Sequence, residues 1–313
     1  MNSYHTPVLA ESCVKYLNPQ PGGVYVDATL GGGGHALALL QKCPQLRLYG
    51  FDQDPEAIAQ ARATLADYQD QVEFIPANFV RQRTELALRQ VKAIDGVLFD
   101  LGVSSHQLDT PERGFSFDRE APLDMRMDGS ITRTAEEIVN QSSQSELAKI
   151  FKEWGEEPQA GRIARKIVEQ RNLKPVATTR DLARLIEQVY TPGTRDALKA
   201  KVRIFQAMRI CVNRELEVLE PALQDAINLL KPQGRIVVLS YHSLEDRIVK
   251  NTFRRAAASC VCPPGLPQCV CGKKRQLELL TKRPLTAEDT EVESNVRSRS
   301  VRLRAAEKLM GET

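Results

Sequence analysis

No run of the 313-residue chain approaches the roughly 18–20 consecutive apolar residues that a membrane span requires. The stretch from Met1 to Ser12 has neither the basic n-region nor the apolar h-region of a secretory leader. Aromatic residues are scarce, 5% with a single tryptophan, which speaks against a broad base-stacking platform. Seven cysteines without a leader argue against a disulfide framework, so the chain is read as a cytoplasmic protein with reduced thiols and no membrane partner. No excess of one charge stands out either: the formal net charge is only +3.

The distribution of that charge is more informative than its sum. Residues 1–80 hold eight acids and four bases, 4 − 8 = −4, so the remainder carries +3 − (−4) = +7. Between Arg195 and Arg214 six bases (Arg195, Lys199, Lys201, Arg203, Arg209, Arg214) stand against one acid, Asp196. An acidic front and a basic remainder suggest a cofactor half and a polyanion-facing half. Solvated basic helix faces would give the same count.

Strand-like and helix-like signals alternate over the first hundred residues. Short strands at Val24–Asp27, Leu46–Phe51, Val72–Ile75 and Val97–Phe99 are separated by helical stretches, one of them Pro55–Ala66 with proline in its first turn. This spacing predicts βαβ units and a parallel sheet. From Thr134 to Arg214 only helical signals follow, opened by capping-box patterns at Thr134–Glu137 and Thr178–Asp181. The α/β pattern then resumes with a helix bearing Leu216, Leu219, Leu223, Ile227 and Leu230, in which Pro221 predicts a kink or a late start. Pro232-Gln-Gly234 turns the chain into a strand at Ile236–Leu239. The expected architecture is a Rossmann-like α/β domain, discontinuous over 1–108 and 213–313, with an all-helical insertion at 109–212. Length agrees with two domains of about 150 residues each.

Open α/β sheets bind ligands at the carboxyl ends of their strands. Gly31-x-Gly33-x-x-Ala36 follows the first strand as a glycine-rich turn into a helix, where backbone N–H groups can meet a ligand. Asp52 ends the second strand 52 − 33 = 19 residues after Gly33, suited to accept hydrogen bonds from ribose hydroxyls, and Asp100 ends the fourth. NAD and S-adenosylmethionine both use this crevice, and spacing alone does not separate them. An NAD-dependent dehydrogenase therefore stays open at this point, as does a non-catalytic RNA-binding or ribosome-assembly protein.

A series of longer motifs narrows the choice. His5-Thr-Pro-Val-Leu9, Tyr25-Val-Asp-Ala-Thr-Leu-Gly-Gly-Gly-Gly-His35, Asp95-Gly-Val-Leu-Phe-Asp-Leu-Gly-Val-Ser-Ser105, Arg113-Gly-Phe-Ser-Phe117 and Pro122-Leu-Asp-Met-Arg-Met127 occur in that order. Phe205-Gln-Ala-Met-Arg-Ile210, Val212-Asn213, His242-Ser-Leu-Glu-Asp-Arg247 and Asn295-Val-Arg-Ser-Arg-Ser300 follow. Together they resemble the bacterial 16S rRNA (cytosine-N4)-methyltransferases, the RsmH/MraW family, over almost the whole chain. The resemblance implies a class I S-adenosylmethionine-dependent methyltransferase domain with a helical insertion for substrate recognition. It implies 16S rRNA of the small ribosomal subunit as partner and the N4 amine of cytidine 1402, in the decoding centre, as methyl acceptor; no stable protein partner is inferred. The cofactor residues it implies are Gly33, Gly34 and His35 at the loop, Asp52 at the ribose, Phe79 by the adenine, and Asp100 and Gln107 on the methionine side.

Cytosine N4 is a poor nucleophile, because its lone pair is delocalised into the ring. Catalysis must hold the amine in line with the methyl carbon, and a carboxylate accepting an N4 proton would help. Asp100 is the first candidate and His242, after the fifth strand, the second. No cysteine lies near the end of the fourth strand, which speaks against a covalent C5 mechanism. Arg195, Lys199, Lys201, Arg203 and Arg209 are expected to face RNA phosphates, with Arg162–Lys166 and Arg297–Arg304 as further basic stretches. Cys260-x-Cys262-x₆-Cys269-x-Cys271 brings four thiols close enough for a tetrahedral zinc site, although C-x-C pairs are less typical than C-x₂-C and reduced loop thiols would look the same.

Overall fold

The computed structural model describes residues 7–129, 131–262 and 269–310, so His5 and Thr6 of the first motif lie outside the described residues. In chain order the first elements are α1 (Ala10–Leu17), β1 (Val24–Asp27), α2 (Gly34–Lys42), β2 (Arg47–Asp52), α3 (Pro55–Thr64), β3 (Val72–Pro76), α4 (Gln82–Leu88) and β4 (Ile94–Asp100). Helices α5 (Ser105–Asp109), α6 (Ala135–Gln141), α7 (Gln144–Glu153), α8 (Ala160–Arg171), α9 (Thr179–Glu187), α10 (Arg195–Asn213) and α11 (Glu215–Leu229) follow. The chain closes with β5 (Leu230–Ser240), α12 (Ser243–Ala257), β6 (Leu277–Leu279), α13 (Asp289–Ser294) and β7 (Arg302–Lys308). Two compact units result, 1–102 with 216–313 and 103–215. The second therefore begins and ends a few residues outside the 109–212 span read from the sequence. No helix among the described residues is long and apolar enough to cross a membrane.

The first unit is a seven-stranded sheet in the order β3-β2-β1-β4-β5-β7-β6. Strands β3 through β5 pair in parallel, and only β7 runs against its neighbours. This mostly parallel, Rossmann-like order is that of class I methyltransferases. Both faces are covered, which is why the strands read as near-continuous apolar runs. Val97 and Phe99 point into a core shared with Leu219, Leu223 and Ile227 of α11 and with Val249 and Phe253 of α12. Leu98, one residue between them, points into the opposite core with Leu17, Leu39, Leu40 and Ile58. Strand order reverses between β1 and β4, and their carboxyl ends open the crevice that a ligand would use.

Two local expectations change. Helix α11 starts at Glu215 and carries Pro221 inside it, so the late start is not taken. Strand β5 begins at Leu230, ahead of the expected Ile236. The Pro232–Gly234 turn is absorbed within it: Gln233 has φ 66°, and the ladder to β4 slips between Ile94↔Leu230 and Gly96↔Arg235.

The second unit is helical around one core that includes Leu147, Phe151, Ile163, Ile167, Ile204 and Met208. Capping boxes open α6, α7 and α9 at Thr134/Glu137, Ser143/Glu146 and Thr178/Asp181. Asn213, at the end of α10, donates to the Met125 carbonyl and accepts from the Met127 N–H, both at 2.8 Å. That clamp ties the Val212-Asn213 motif to the Pro122–Met127 motif.

Candidate functional site

The segment after β1 is stitched to both neighbouring strands. Ala28 N–H donates to Leu98 O, and Leu30 N–H to Phe51 O, each at 2.8 Å. Gly31 (φ 51°) and Gly33 (φ 85°) take left-handed backbone that β-carbon-bearing residues rarely adopt. Gly33 is the N-cap of α2, which has no side-chain cap and no acid in its first turn, so Gly34 and His35 open a helix whose positive end is not neutralised by its own cap.

Asp52 closes this turn from β2. Its Oδ2 accepts the Gly31 N–H at 2.8 Å and its Oδ1 the Asp54 N–H at 2.9 Å. Asp54, not Asp52, caps α3 by accepting from Glu56 N–H. Burial pushes the Asp52 carboxyl up to about 6, against the pull of those backbone N–H groups. Phe79, after β3, lies edge-on to Phe99 with ring centroids 5.6 Å apart. The loops after β2 and β3 are joined by Asn78 donating to Gln53 at 2.8 Å.

Asp100 ends β4 with its side chain 26% exposed. The Tyr241 hydroxyl donates to Oδ1 at 2.6 Å, and His35 Nδ1 stands 3.5 Å from Oδ2. His35 Nε2 lies 2.9 Å from the Val8 carbonyl, which can only accept, so that nitrogen carries a proton. Burial, with the Asp100 charge beside it, pushes the Tyr241 phenol well above its usual range, so it stays a donor. Thr29 Oγ1 accepts the Asp100 N–H at 2.6 Å, locking the end of β4 to the glycine turn.

Sequence reasoning missed Asp27 and Tyr241. Asp27 is 1% exposed at the end of β1; Thr29 N–H donates to its Oδ1, whereas Oδ2 is buried with no hydrogen-bond partner among the described residues. Burial pushes this carboxyl up to about 7, partly countered by His35. The signal for Tyr241 lies in the pairing Asp100↔Leu239, which brings the chain just beyond β5 beside the end of β4.

Other expected site residues are placed differently from the sequence reading. His242 is the N-cap of α12. Its Nδ1 accepts the Glu245 N–H at 3.4 Å and its Nε2 faces Glu245 Oε1 at 3.1 Å, so the ring is turned to its own helix. Gln107 belongs to the second unit, where it forms a capping box with Ser104. The five bases of α10 are not equivalent. Arg209 makes a two-pronged pair with Glu215 at 2.9 Å, Lys201 bonds Glu187 at 2.7 Å, and Arg203 lies 3.6 Å from the buried Glu157. Arg195 and Lys199 are exposed. Arg304, read as part of a phosphate-facing stretch, is 8% exposed and bound to Asp246. Cys260, Cys262, Cys269 and Cys271 converge between α12 and β6.

Strand order, glycine turn and acidic strand ends define a Rossmann-like methyltransferase. The chain belongs to the MraW methylase family, whose sequence model matches residues 2–309. It is 50% identical over 307 residues to a protein of Geotalea daltonii, covering 97% of this chain and 98% of that one. It is also 50% identical over 311 residues to one of Geobacter sulfurreducens, covering 99% and 100%. A protein of Clostridioides difficile is 45% identical over 312 residues, covering 99% and 100%. All three are named ribosomal RNA small subunit methyltransferase H. The cofactor of this methylase family is S-adenosylmethionine, and the site has the chemistry to hold it. The turn offers backbone N–H groups at a helix start, Asp52 offers an acceptor at the end of β2, and the orphaned Asp27 oxygen offers a further unused acceptor.

These two raised acids, Asp27 buried and Asp52 half-buried, make stability depend on pH in a defined direction. With native values near 7 and 6 against a usual 3.8, Asp27 and Asp52 hold more protons folded than unfolded between about pH 4 and 7. Their contribution to stability is therefore lost as pH rises through that window. Asp27→Asn should raise the melting temperature relative to wild type by an amount that grows from pH 5 to pH 8. Thermal unfolding of the ligand-free protein across this range checks it, and a difference independent of pH would contradict the buried-acid assignment.

Proposed function

We propose that this chain methylates the exocyclic N4 amine of cytidine 1402 in 16S rRNA of the small ribosomal subunit. The observation that carries the reading is Asp100: a partly exposed carboxylate at the switch point, its Oδ1 held by Tyr241 and its Oδ2 facing His35. A carboxylate fixed in this way can accept a hydrogen bond from the amine, orient its lone pair and favour the positive charge that develops on nitrogen. The backbone at Gly33, Gly34 and His35, the Asp52 carboxylate and the Phe79 ring would hold the cofactor, which supplies an electrophilic methyl group. Asp27 would face the cofactor's ammonium group, its own proton passing to solvent as the ion pair forms. His242 serves the site through the start of α12 and the adjoining Tyr241.

Incubating the protein with small ribosomal subunits and labelled cofactor, then mapping the modified nucleotide by mass spectrometry, tests this directly. Label on N4 of cytidine 1402 is expected; label at another nucleotide, or none, would overturn the assignment.

The helical unit is assigned to rRNA recognition, with Arg195 and Lys199 binding phosphates from α10. Replacing both by glutamate should weaken rRNA binding and flatten its salt dependence, by roughly 0.7–0.9 in the log–log slope for each phosphate no longer neutralised. Reversal at Arg203 or Arg209 reports something else, since it sets a new carboxylate against Glu157 or Glu215 and should lower stability. Filter binding at several salt concentrations separates the two classes.

A further inference from the structure

The four cysteines between α12 and β6 are not needed by the proposed methyl transfer, yet their sulfurs converge. All four Sγ atoms lie within 4.8 Å of one another. The separations are 3.5 Å for Cys269–Cys260 and Cys269–Cys271, 3.8 Å for Cys271–Cys260 and 3.9 Å for Cys262–Cys269. A tetrahedron of sulfurs about a metal at ~2.3 Å has edges of about 3.8 Å. A disulfide would require about 2.05 Å.

The backbone also approaches the sulfurs. Cys262 N–H points to Cys260 Sγ at 3.3 Å. Such N–H···S contacts are the usual outer shell of a tetrathiolate centre. Gly272 (φ 58°) turns the chain immediately after the last cysteine, in the left-handed region. Among the described residues no apolar core accounts for the convergence: Val261 is 54% exposed and Val270 79%. Four thiols brought together among exposed residues need another source of order, and a bound metal is the ordinary one.

We propose that Cys260, Cys262, Cys269 and Cys271 bind one zinc ion in a closed, structural tetrathiolate site. The sulfurs are too close together to surround a polynuclear iron–sulfur cluster, so a single thiophilic divalent ion is the fit, and an all-sulfur tetrahedral set selects zinc. On binding, four S–Zn bonds replace four S–H bonds, and the protons pass to solvent. The resulting centre carries +2 − 4 = −2, which Lys273 and Lys274 partly offset. The ion closes the excursion that leaves α12 and enters β6, whose base is already tied by Gln276 N–H donating to Ala256 O at 2.8 Å.

The test uses the full chain, purified without chelator and without a metal-affinity tag. Elemental analysis by mass spectrometry should find about one zinc per chain, falling at least tenfold in Cys269→Ser/Cys271→Ser. Protein stripped by a chelator and titrated with Co²⁺ should develop the sulfur-to-metal charge-transfer and intense visible bands of tetrahedral thiolate cobalt. Wild-type protein without metal, its four thiols reacting freely with Ellman's reagent or found as disulfides, would overturn the proposal. Because wild-type metal content decides, a misfolded variant leaves the test intact.

Discussion

Asp100→Asn should lower the single-turnover rate of methyl transfer by roughly 10²–10⁴-fold at saturating cofactor, the range expected for losing a positioned proton acceptor with its charge. Asparagine keeps the shape of the side chain, and its carbonyl oxygen still accepts the Tyr241 hydroxyl, so the end of β4 should stay in place. What disappears is the negative charge facing His35 and the second acceptor oxygen. Calorimetry with S-adenosylmethionine then separates two roles. Retained cofactor affinity with a lost rate assigns Asp100 to the amine. Affinity that falls with the rate assigns it to the cofactor's ammonium group, and an unchanged rate removes it from the chemistry.

Asp246→Ala should destabilise the α/β unit by about 3–5 kcal/mol, the usual cost of breaking one side of a buried ion pair. Asp246 on α12 accepts from Arg304 Nε at 2.6 Å and from its second nitrogen at 3.2 Å, with both side chains about 10% exposed. Arg302 adds a contact at 3.1 Å but is 45% exposed, so solvent screens much of it. Burial alone would raise the Asp246 carboxyl, and the hydrogen bonds and charge of Arg304 outweigh that and hold it below its usual value. The stabilisation is present above the unfolded carboxylate value and is lost as pH falls through the lowered native one. Removing the carboxylate strands a guanidinium inside the sheet, whereas Asp246→Ala/Arg304→Met should recover most of the loss. Denaturant melts of wild type, single and double variants at pH 7 check this; a single variant within 1 kcal/mol of wild type would contradict it.

Much of the α/β frame was legible in the sequence because its strands are short, apolar and bounded by glycine or acid. Asp27, Asp52 and Asp100 close three strands, and their spacing is set by the βαβ unit itself. Pairwise side-chain partnerships were not legible. Arg209 and Glu215 are six residues apart, and only the turn at the end of α10, where Arg214 has φ 53°, brings them into a two-pronged pair. Arg304 reads as a basic strand residue, yet its partner lies 58 residues earlier on α12. His242 resembles a catalytic histidine in position, but the Glu245 three residues on draws its ring into a helix cap. Tyr241 beside it carries no local signal, because its contact with Asp100 depends on the β4–β5 pairing, which local sequence does not encode.

That pairing has a consequence for how the molecule is made. Asp100 and Tyr241 are partners separated by 241 − 100 = 141 residues, with a helical unit between them. At ~5–20 residues per second, a ribosome delivers the tyrosine roughly 7–28 s after the aspartate. Through that interval β4 is an open edge, its Asp100 lacking the Tyr241 hydroxyl. The intervening helices can meanwhile condense from local contacts, which form fast, and shorten the effective loop that β5 must close. The carboxyl end of β4 is thus completed only after the whole helical unit has been synthesised, and slow or truncated synthesis leaves an unpaired strand edge exposed.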